Sequence, residues 1–414
     1  PPPMPIPQAR RPWPDIEADL QAMRAGDLDW RRGRHGAYIW YATDDLEEVL
    51  ARASTLFLAE NGLGLRAFPS LARMEGEVLL AVAEHLGGSA ETPGIFTSGG
   101  TESIFLAMLA LRQWARATRP GLPEPVIVAP RSAHPALDKA AFLLGLRVRR
   151  VPTGPDHRAD PAAIEAAIDD TTVGLYASAP AYSLGLIDPI EALSDLALRR
   201  GLWLHVDACV GGILGPFVRQ LGYPVPPFGL ELPGVTSISA DLHKSGFAAK
   251  PASTVTFRSA DHREFARFTF DDWPSGTYSS LTFTGSRPGS AIAAAWAAFQ
   301  YLGQEGYREL AASSMRARDA IIAGLQRIPG FILHGEPPLY AFAWAIEGLS
   351  MGRVAAAMAR EGWLAGRTAD PDGLHVMATP VHEPHAAEYV EAAARAVEAA
   401  RSAAAGGDRP AAYN

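Results

Sequence analysis

Short apolar runs separated by helical stretches constrain this chain more than any other feature of its sequence. From Ile95 onward, runs of β-branched and aliphatic residues occupy residues 125–129, 147–151, 173–178, 202–206, 237–240 and 254–257. Strands that alternate with helices at this spacing are typical of a mostly parallel sheet covered by helices on both faces. The chain is therefore predicted to have an α/β fold.

Helical and strand patterns also flank this central region. Amphipathic helices are predicted over residues 44–57, 69–86, 104–115, 290–302 and 309–325. The C-terminal part holds strands at 341–346 and 373–378 and a closing helix at 386–400, which predicts a smaller α+β domain. Four prolines between residues 224 and 233 predict a loop that runs over the surface after Leu214.

Composition excludes several classes of protein. The 37 Lys+Arg against 45 Asp+Glu give a net charge of −8, so a nucleic-acid binder is disfavoured. The single cysteine, Cys209, excludes an internal disulfide framework and a cysteine-based zinc site, and it favours a cytoplasmic localisation.

The proline-rich start lacks the apolar core of a signal peptide. Apolar stretches such as 291–299 are about half of the ~18 residues that a spanning helix needs, so no membrane span is predicted.

The segment Thr97-Ser-Gly-Gly-Thr-Glu-Ser103 precedes a predicted helix and is the first candidate for ligand binding. Gly99 and Gly100 allow close approach of the backbone, and Thr101 lies where free N–H groups at a helix start attract an anion. The segment lacks the P-loop and dinucleotide-binding patterns, so neither ATP nor NAD is indicated. It predicts a phosphate cradle; the alternative is an ordinary helix cap after a glycine turn.

Two further polar groups follow predicted strands. Asp207 ends the strand that carries His205, at the strand end where parallel-sheet proteins bind their ligands. Lys244 closes the segment Ser239-Ala-Asp-Leu-His-Lys244, which is otherwise poor in charge. Taken alone, the aspartate is interpreted as a capping or surface carboxylate, and the lysine is interpreted as a solvated charge.

Together these groups describe one ligand. An anion at a helix start, a buried carboxylate and an amine able to form an imine are what pyridoxal phosphate requires. The carboxylate keeps the ring nitrogen protonated, so that the ring accepts the electron pair left by bond cleavage. His134, in Ser132-Ala-His-Pro135, fits as an aromatic plate over that ring, although alone it reads as a loop histidine.

At this point the sequence resembles a known family, the sphingosine-1-phosphate lyase branch of the group II pyridoxal-phosphate-dependent decarboxylases. The resemblance extends from about Gly33 to His385, and its longest matching stretches are TSGGTESI (97–104), HVDACVGGIL (205–214), GYPVPPFGLELPGVTSISADLHKSGFAAK (222–250), DWPSGTYSSLTFTGSRPG (272–289) and LHVMATPVH (374–382). The SADLHK segment matches the wider decarboxylase family, whereas the GYPVPPF loop and GSRPG together match the lyase branch.

The resemblance implies a fold-type I, aspartate aminotransferase-like architecture and an obligate homodimer. It implies a large domain with a mostly parallel sheet and a smaller C-terminal α+β domain. We divide the chain accordingly into an N-terminal segment that contributes to the dimer and the active site (1–75), a large cofactor-binding domain (76–305) and a small domain (306–414).

Cofactor-binding roles are implied residue by residue. Lys244 matches the Schiff-base lysine, Asp207 the partner of the pyridine nitrogen and His134 the stacked ring. The implied ligands of the cofactor phosphate are Gly99, Gly100, Thr101 and His243, with Ser286 reaching in from the second subunit.

Substrate-site roles are implied in the same way. Tyr38 and Tyr182 match two substrate-site tyrosines, the second proposed to act from across the dimer, and Lys250 matches a lysine that helps bind the substrate phosphate. Without the resemblance, both tyrosines are interpreted as residues that pack in the core or at an interface. Asn61 is retained, but Gly64 replaces a histidine that contacts the substrate phosphate in the lyases. Arg66 is a candidate replacement, because a guanidinium binds phosphate or carboxylate through paired hydrogen bonds.

The leading hypothesis is a retro-aldol carbon–carbon lyase. Its substrate is a phosphorylated 2-amino-3-hydroxy compound of the sphingoid type, and its products are an aldehyde and an amine such as phosphoethanolamine. Tyr182 or Tyr38 takes the β-hydroxyl proton. The alternative is an α-amino-acid decarboxylase, favoured by the lost histidine and by Arg66. A non-catalytic binding module on the same scaffold is a third possibility, against which Lys244, Asp207 and His134 argue.

Overall fold

The computed structural model describes residues 6–402. Its α-helices are α1 (Trp13–Arg24), α2 (Asp44–Leu56), α3 (Pro69–His85), α4 (Gly100–Thr118), α5 (Ala136–Leu144), α6 (Pro161–Ala166), α7 (Ile190–Arg200), α8 (Leu214–Gln220), α9 (Ala260–Glu264), α10 (Gly289–Leu325), α11 (Met351–Arg360) and α12 (Ala386–Ser402). Its strands are β1 (Gly94–Thr97), β2 (Val126–Pro130), β3 (Arg147–Val151), β4 (Thr172–Ser178), β5 (Trp203–Asp207), β6 (Val235–Ala240), β7 (Ser253–Phe257), β8 (Phe268–Phe270), β9 (Tyr278–Ser280), β10 (Phe331–Leu333), β11 (Ala341–Ile346), β12 (Gly366–Ala369) and β13 (Asp372–Met377). Within residues 6–402, none of the helices has both the length and the apolar character to cross a bilayer.

A seven-stranded sheet forms the centre of the molecule, in the order β1-β7-β6-β5-β4-β2-β3. The neighbours from β6 to β3 pair in parallel, and β7 runs antiparallel to both β6 and β1. The prediction of a mostly parallel sheet is confirmed. Every residue of β4, β5 and β6 is buried, as expected of strands covered on both faces.

The strand register aligns the carboxyl ends of β4, β5 and β6. Ser178 of β4 pairs with Asp207 of β5, and Asp207 pairs in turn with Ser239 of β6. Because these strands are parallel, the segments that follow them emerge side by side at the same sheet edge. This edge is where the sequence motifs meet.

Separate hydrophobic cores cover the two faces of the sheet. Along β5, Leu204 and Val206 point into the core that includes α3 and α7, whereas Trp203 packs on the other face with α4 and α5. Alternation of side chains along each strand therefore divides even the fully apolar strands between the two cores.

A four-stranded antiparallel sheet, in the order β10-β11-β13-β12, forms the C-terminal part with α11 and α12. This agrees with the predicted α+β pattern. The sequence analysis did not identify β10 and β12, since β10 is short and half-exposed and β12 has the sequence Gly-Arg-Thr-Ala. The boundaries between the three predicted domains stay predictions.

The helices predicted at 290–302 and 309–325 agree with the structure, in which α10 consists of two helices separated by a kink at Gly303, where the backbone is non-helical with a φ of 53°. One local prediction was wrong. The proline-containing segment after Leu214 begins with α8, and its apolar residues enter the core instead of running over the surface. The buried ones are Val225, Phe228, Leu230 and Leu232.

Candidate active site

A cavity of about 330 Å³ lies at the carboxyl edge of β4, β5 and β6. It gathers eight of the predicted site residues in one protomer: Gly99, Gly100, Thr101, His134, Tyr182, Asp207, His243 and Lys244. They come from five segments at the sheet edge: the start of α4, the turn before α5, the loop after β4, the end of β5 and the turn after β6. The strand order and register therefore determine which residues line the cavity.

Lys244 lies in the turn that follows β6. Its Nζ is 2.8 Å from Oδ2 of Asp241, whose side chain is 1% exposed. Burial opposes the charged amine, but the nearby carboxylate of Asp241 outweighs it, and the pKa of Lys244 is raised. The amine is therefore an ammonium held by Asp241, and it must release a proton before it can form an imine.

Asp207 is the last residue of β5 and is buried. Its Oδ2 accepts a hydrogen bond from the Tyr176 hydroxyl at 2.7 Å, and its Oδ1 accepts one from the Cys209 backbone N–H at 3.1 Å. Burial alone raises the pKa of Asp207, but His134, these hydrogen bonds and Lys244 together hold it below the usual range. The buried carboxylate is anionic and suits a protonated ring nitrogen.

The cradle at residues 98–101 leads into the first turn of α4. A Cβ at Gly100 would lie 2.7 Å from Sγ of Cys209, and one at Gly99 would lie 3.3 Å from Cε1 of His243. Side chains at these two positions would fill the space above the helix N-terminus, where free N–H groups favour an anion.

His243 closes one side of this cradle. Its Nδ1 accepts a hydrogen bond from the Ala252 backbone N–H at 3.0 Å, and burial lowers its pKa to about 4. The neutral ring therefore carries its hydrogen on Nε2, which makes that atom a donor for a phosphate oxygen.

His134 and Tyr182 form an aromatic wall of the cavity. The Nδ1 of His134 accepts a hydrogen bond from the Ala136 backbone N–H at 3.1 Å, and burial lowers the pKa of His134, so the ring is neutral. Tyr182 lies between two histidine rings, with its centroid 6.0 Å from that of His134 and 4.7 Å from that of His375. Tyr182 thus lines the cavity of its own protomer, and its action across a dimer stays a prediction.

Tyr38 and Lys250 line a second cavity of about 420 Å³, walled by aromatic and apolar side chains from the N-terminal segment and from residues 247–249. Tyr38 holds a φ of 73°, a conformation rare for a bulky residue and often found at functional sites. Burial and then Lys244 lower the pKa of Lys250. The second cavity is next to the first along the chain, because residues 243 and 244 line the first and residues 247–250 of the same segment line the second.

The other predicted site residues line neither cavity of this protomer. Ser286 and Arg66 are exposed. The Oδ1 of Asn61 accepts hydrogen bonds from the backbone N–H groups of Leu63 (3.1 Å) and Gly64 (3.3 Å), so this oxygen holds its own turn.

Sequence reasoning did not assign roles to Asp241 and Tyr176. Asp241 had a usable signal, since Asp241 and Lys244 are the two charged side chains of the segment 239–244. Tyr176 had none, because it lies within an apolar strand, and its contact with Asp207 depends on the pairing of β4 with β5.

These residues fit pyridoxal phosphate. The cavity offers an amine, a buried anionic carboxylate, a neutral ring as a stacking plate and a glycine cradle at a helix start, which are the groups that this cofactor requires. The fold and the site thus define a pyridoxal-phosphate-dependent enzyme.

Comparison with known proteins identifies the family. Residues 3–343 match the family model described as the pyridoxal-dependent decarboxylase conserved domain. The chain belongs to this family, and it uses pyridoxal phosphate as its cofactor.

Three relatives illustrate the similarity. A sphingosine-1-phosphate lyase of Oryza sativa subsp. japonica is 37% identical over 88% of this chain and 69% of its own length. A probable L-aspartate decarboxylase of Thermococcus gammatolerans is 36% identical over 72% of this chain and 76% of its own length. The solved sphingosine-1-phosphate lyase of Burkholderia pseudomallei superimposes with a TM-score of 0.92 at 36% identity, covering 96% of this chain and 93% of that one. The predicted fold-type I architecture is confirmed by this structural similarity. The chain spans about two thirds of the length of the curated lyases that it matches, from 69% of the rice protein to 60% of a Saccharomyces cerevisiae one.

Replacing Tyr176 with Phe tests the support of Asp207. The variant removes one hydroxyl that donates to a buried carboxylate, and a hydrogen bond to a charged group contributes about 1.5–3 kcal/mol. We expect the free energy of unfolding of the apo protein at pH 7, measured with urea, to fall by that amount. Tyr307→Phe is the matched control, since its buried hydroxyl donates to the neutral carbonyl of Gly246 and its loss costs about 0.5–1.5 kcal/mol.

The same variant has a defined pH dependence. The folded-state pKa of Asp207 lies below its usual value, so its stabilisation is complete above that usual pKa of about 3.9 and is lost as the pH falls through the folded-state pKa. The deficit of Tyr176→Phe should therefore shrink at acidic pH, whereas that of Tyr307→Phe should not. Equal deficits at every pH would contradict the role of Tyr176.

Proposed function

We propose that this chain is a carbon–carbon lyase that cleaves a phosphorylated, sphingoid-type 2-amino-3-hydroxy compound to an aldehyde and an amine such as phosphoethanolamine. The observation that carries the proposal is the lysine cavity beside a second cavity that contains Lys250 and Tyr38. The first cavity provides for the cofactor, and the second offers a cation for a phosphate and apolar walls for a hydrocarbon chain. Similarity to sphingosine-1-phosphate lyases over 88% of the chain supports the same reaction.

The cavity residues hold the cofactor in this proposal. Pyridoxal phosphate supplies an electron sink for the pair released when a bond to the amine-bearing carbon breaks. Lys244 would anchor it, Asp207 would keep the ring nitrogen protonated, and His134 would cover one face of the ring. The N–H groups at the start of α4 and Nε2 of His243 bind its phosphate.

Tyr182, acting as its phenolate, takes the β-hydroxyl proton and becomes the neutral phenol. As the bond between the amine-bearing and hydroxyl-bearing carbons breaks, the hydroxyl loses its proton and becomes the aldehyde oxygen, and the amine-bearing carbon later takes up a proton. The Tyr182 ring lies between those of His134 and His375, and Tyr182 lines the cofactor cavity. Tyr38, in the neighbouring cavity, contributes to substrate binding.

The substrate phosphate is bound by Lys250, and the loss of the histidine at Gly64 leaves Lys250 a larger share of that binding. Asn61 orders the turn that contains Gly64. Arg66 is exposed in the single protomer and reaches a phosphate only in the assembled dimer.

The active protein is a homodimer with shared active sites. Ser286 is exposed on this protomer, in the loop between β9 and α10. In the proposed dimer it enters the cavity of the second subunit and binds the cofactor phosphate there.

The alternative function is an α-amino-acid decarboxylase. Its specific support is the 36% identity to a probable L-aspartate decarboxylase over 72% of the chain. The two functions differ in which bond of the amine-bearing carbon stands perpendicular to the cofactor ring.

Product analysis separates the two functions. The holoenzyme is incubated with a phosphorylated long-chain amino alcohol and, separately, with common amino acids including aspartate. We expect an aldehyde and a phosphorylated amine in equal amounts from the first, and no carbon dioxide from the second. Carbon dioxide from an amino acid, with no aldehyde from the amino alcohol, would contradict the lyase proposal.

Lys250→Met tests phosphate recognition. Loss of the cation should raise the KM for the phosphorylated substrate at least about tenfold, because charge-assisted contacts to phosphate are strong, and should change kcat less. Lys139→Met, at an exposed lysine on α5, is the control. Since the pKa of Lys250 is lowered, its charge is present below that pKa, so the affinity of the parent enzyme should fall as the pH rises through it. A KM that is unchanged in Lys250→Met would exclude this role.

A further inference from the structure

A buried carboxylate joins the cofactor cradle to the segment that carries Ser286, here named the serine loop (residues 283–287). Glu102, on the first turn of α4, is 8% exposed. Its Oε2 accepts a hydrogen bond from the Ser98 backbone N–H at 2.7 Å, and its Oε1 accepts one from the Phe283 backbone N–H at 3.0 Å. One side chain therefore holds both the start of the cradle and the start of the serine loop.

Both ends of the serine loop are fixed to its own protomer. At one end, the Phe283 ring packs edge-on against Phe105 of α4, with centroids 5.0 Å apart. At the other end, the guanidinium of Arg287 forms a buried ion pair with Glu75 (2.7 Å) and donates to the carbonyl of Gly62 (3.0 Å). The loop is thus anchored to the same helix that begins at the cradle.

The tip of the loop projects away from these anchors. Ser286 is exposed, and a Cβ at Gly285 would meet no atom within 4 Å. Fixed ends and an open tip mean that the position of Ser286 is set by the anchors and not by contacts of its own.

We propose that Glu102 is a positioning residue that acts across the dimer: it holds the serine loop so that Ser286 completes the cofactor site of the second subunit. This inference rests on the shared-site dimer proposed above. The same carboxylate also orders Ser98 in the cradle of its own subunit. Glu102 therefore acts on both cofactor sites: Oε2 on the site of its own subunit and Oε1, through the serine loop, on the site of the second subunit. The cofactor affinities of the two subunits are therefore coupled through this side chain.

Hybrid dimers separate the two effects of Glu102. One protomer carries Lys244→Ala and cannot bind the cofactor through an imine, so the visible absorption of the lysine-bound cofactor reports only on its partner. Glu102→Gln is placed either in the Lys244→Ala chain, where it alters only the loop that serves the reporting site, or in the reporting chain, where it alters the cradle. The affinity for pyridoxal phosphate is measured by titrating the apo hybrid.

We expect Glu102→Gln in the Lys244→Ala chain to weaken cofactor binding at the reporting site at least about fivefold, the effect of losing roughly one hydrogen bond. The glutamine keeps the shape but presents an NH₂ group to one of the two backbone N–H groups. Phe105→Leu is a second variant that loosens the loop without touching Ser98. It should weaken binding when placed in the Lys244→Ala chain and leave it unchanged in the reporting chain.

Two controls make the outcome decisive. Glu191→Gln, at an exposed glutamate on the first turn of α7, should have no effect in either chain. Ser286→Asp in the Lys244→Ala chain places a negative charge against the cofactor phosphate, and it should abolish tight binding if the loop enters the second subunit. If Ser286→Asp weakens binding but Glu102→Gln and Phe105→Leu in that chain do not, the role of Glu102 is wrong and the shared site stands. If Ser286→Asp has no effect, the shared site fails and the coupling fails with it.

Discussion

The common end of β4, β5 and β6 is the constraint on which the rest of the structure depends. Parallel pairing with Ser178, Asp207 and Ser239 in register places the following turns side by side. A buried carboxylate and a half-buried amine are costly to desolvate unless each has a partner. Here Asp207 accepts hydrogen bonds from Tyr176 and Cys209, and Lys244 is paired with Asp241. The charges are thus held apart and ready to receive a cofactor whose ring nitrogen and aldehyde need these two groups.

Much of this arrangement could be predicted from the sequence, for a physical reason. The strand β11 has the predicted bounds, because an apolar run bounded by turn residues is a local signal. The three motifs could be placed together because the carboxyl ends of parallel strands share an edge. Long-range burial could not be predicted in this way: the proline-rich segment near Phe228 enters the core through contacts that only the folded chain creates.

The polar contacts beneath the site were the least predictable part. Tyr176 and Glu102 each act through a partner on another segment, Asp207 in one case and Phe283 in the other. A sequence shows which hydrogen bonds such residues can form, but not which residues of other segments lie beside them in the folded chain. The same limit applies to Arg66, which was chosen for its charge and whose place in the structure is on the surface of the protomer.

The central claim is that Lys244 is the amine that holds the cofactor. The sequence contains three lysines, Lys139, Lys244 and Lys250, so the modified lysine can be identified directly. Reduction of the holoenzyme with borohydride fixes the cofactor to the lysine that binds it, and peptide mass spectrometry then locates the modification. The account predicts one pyridoxyl group per chain at Lys244. Modification at Lys250 or Lys139, with Lys244 unmodified, would contradict it.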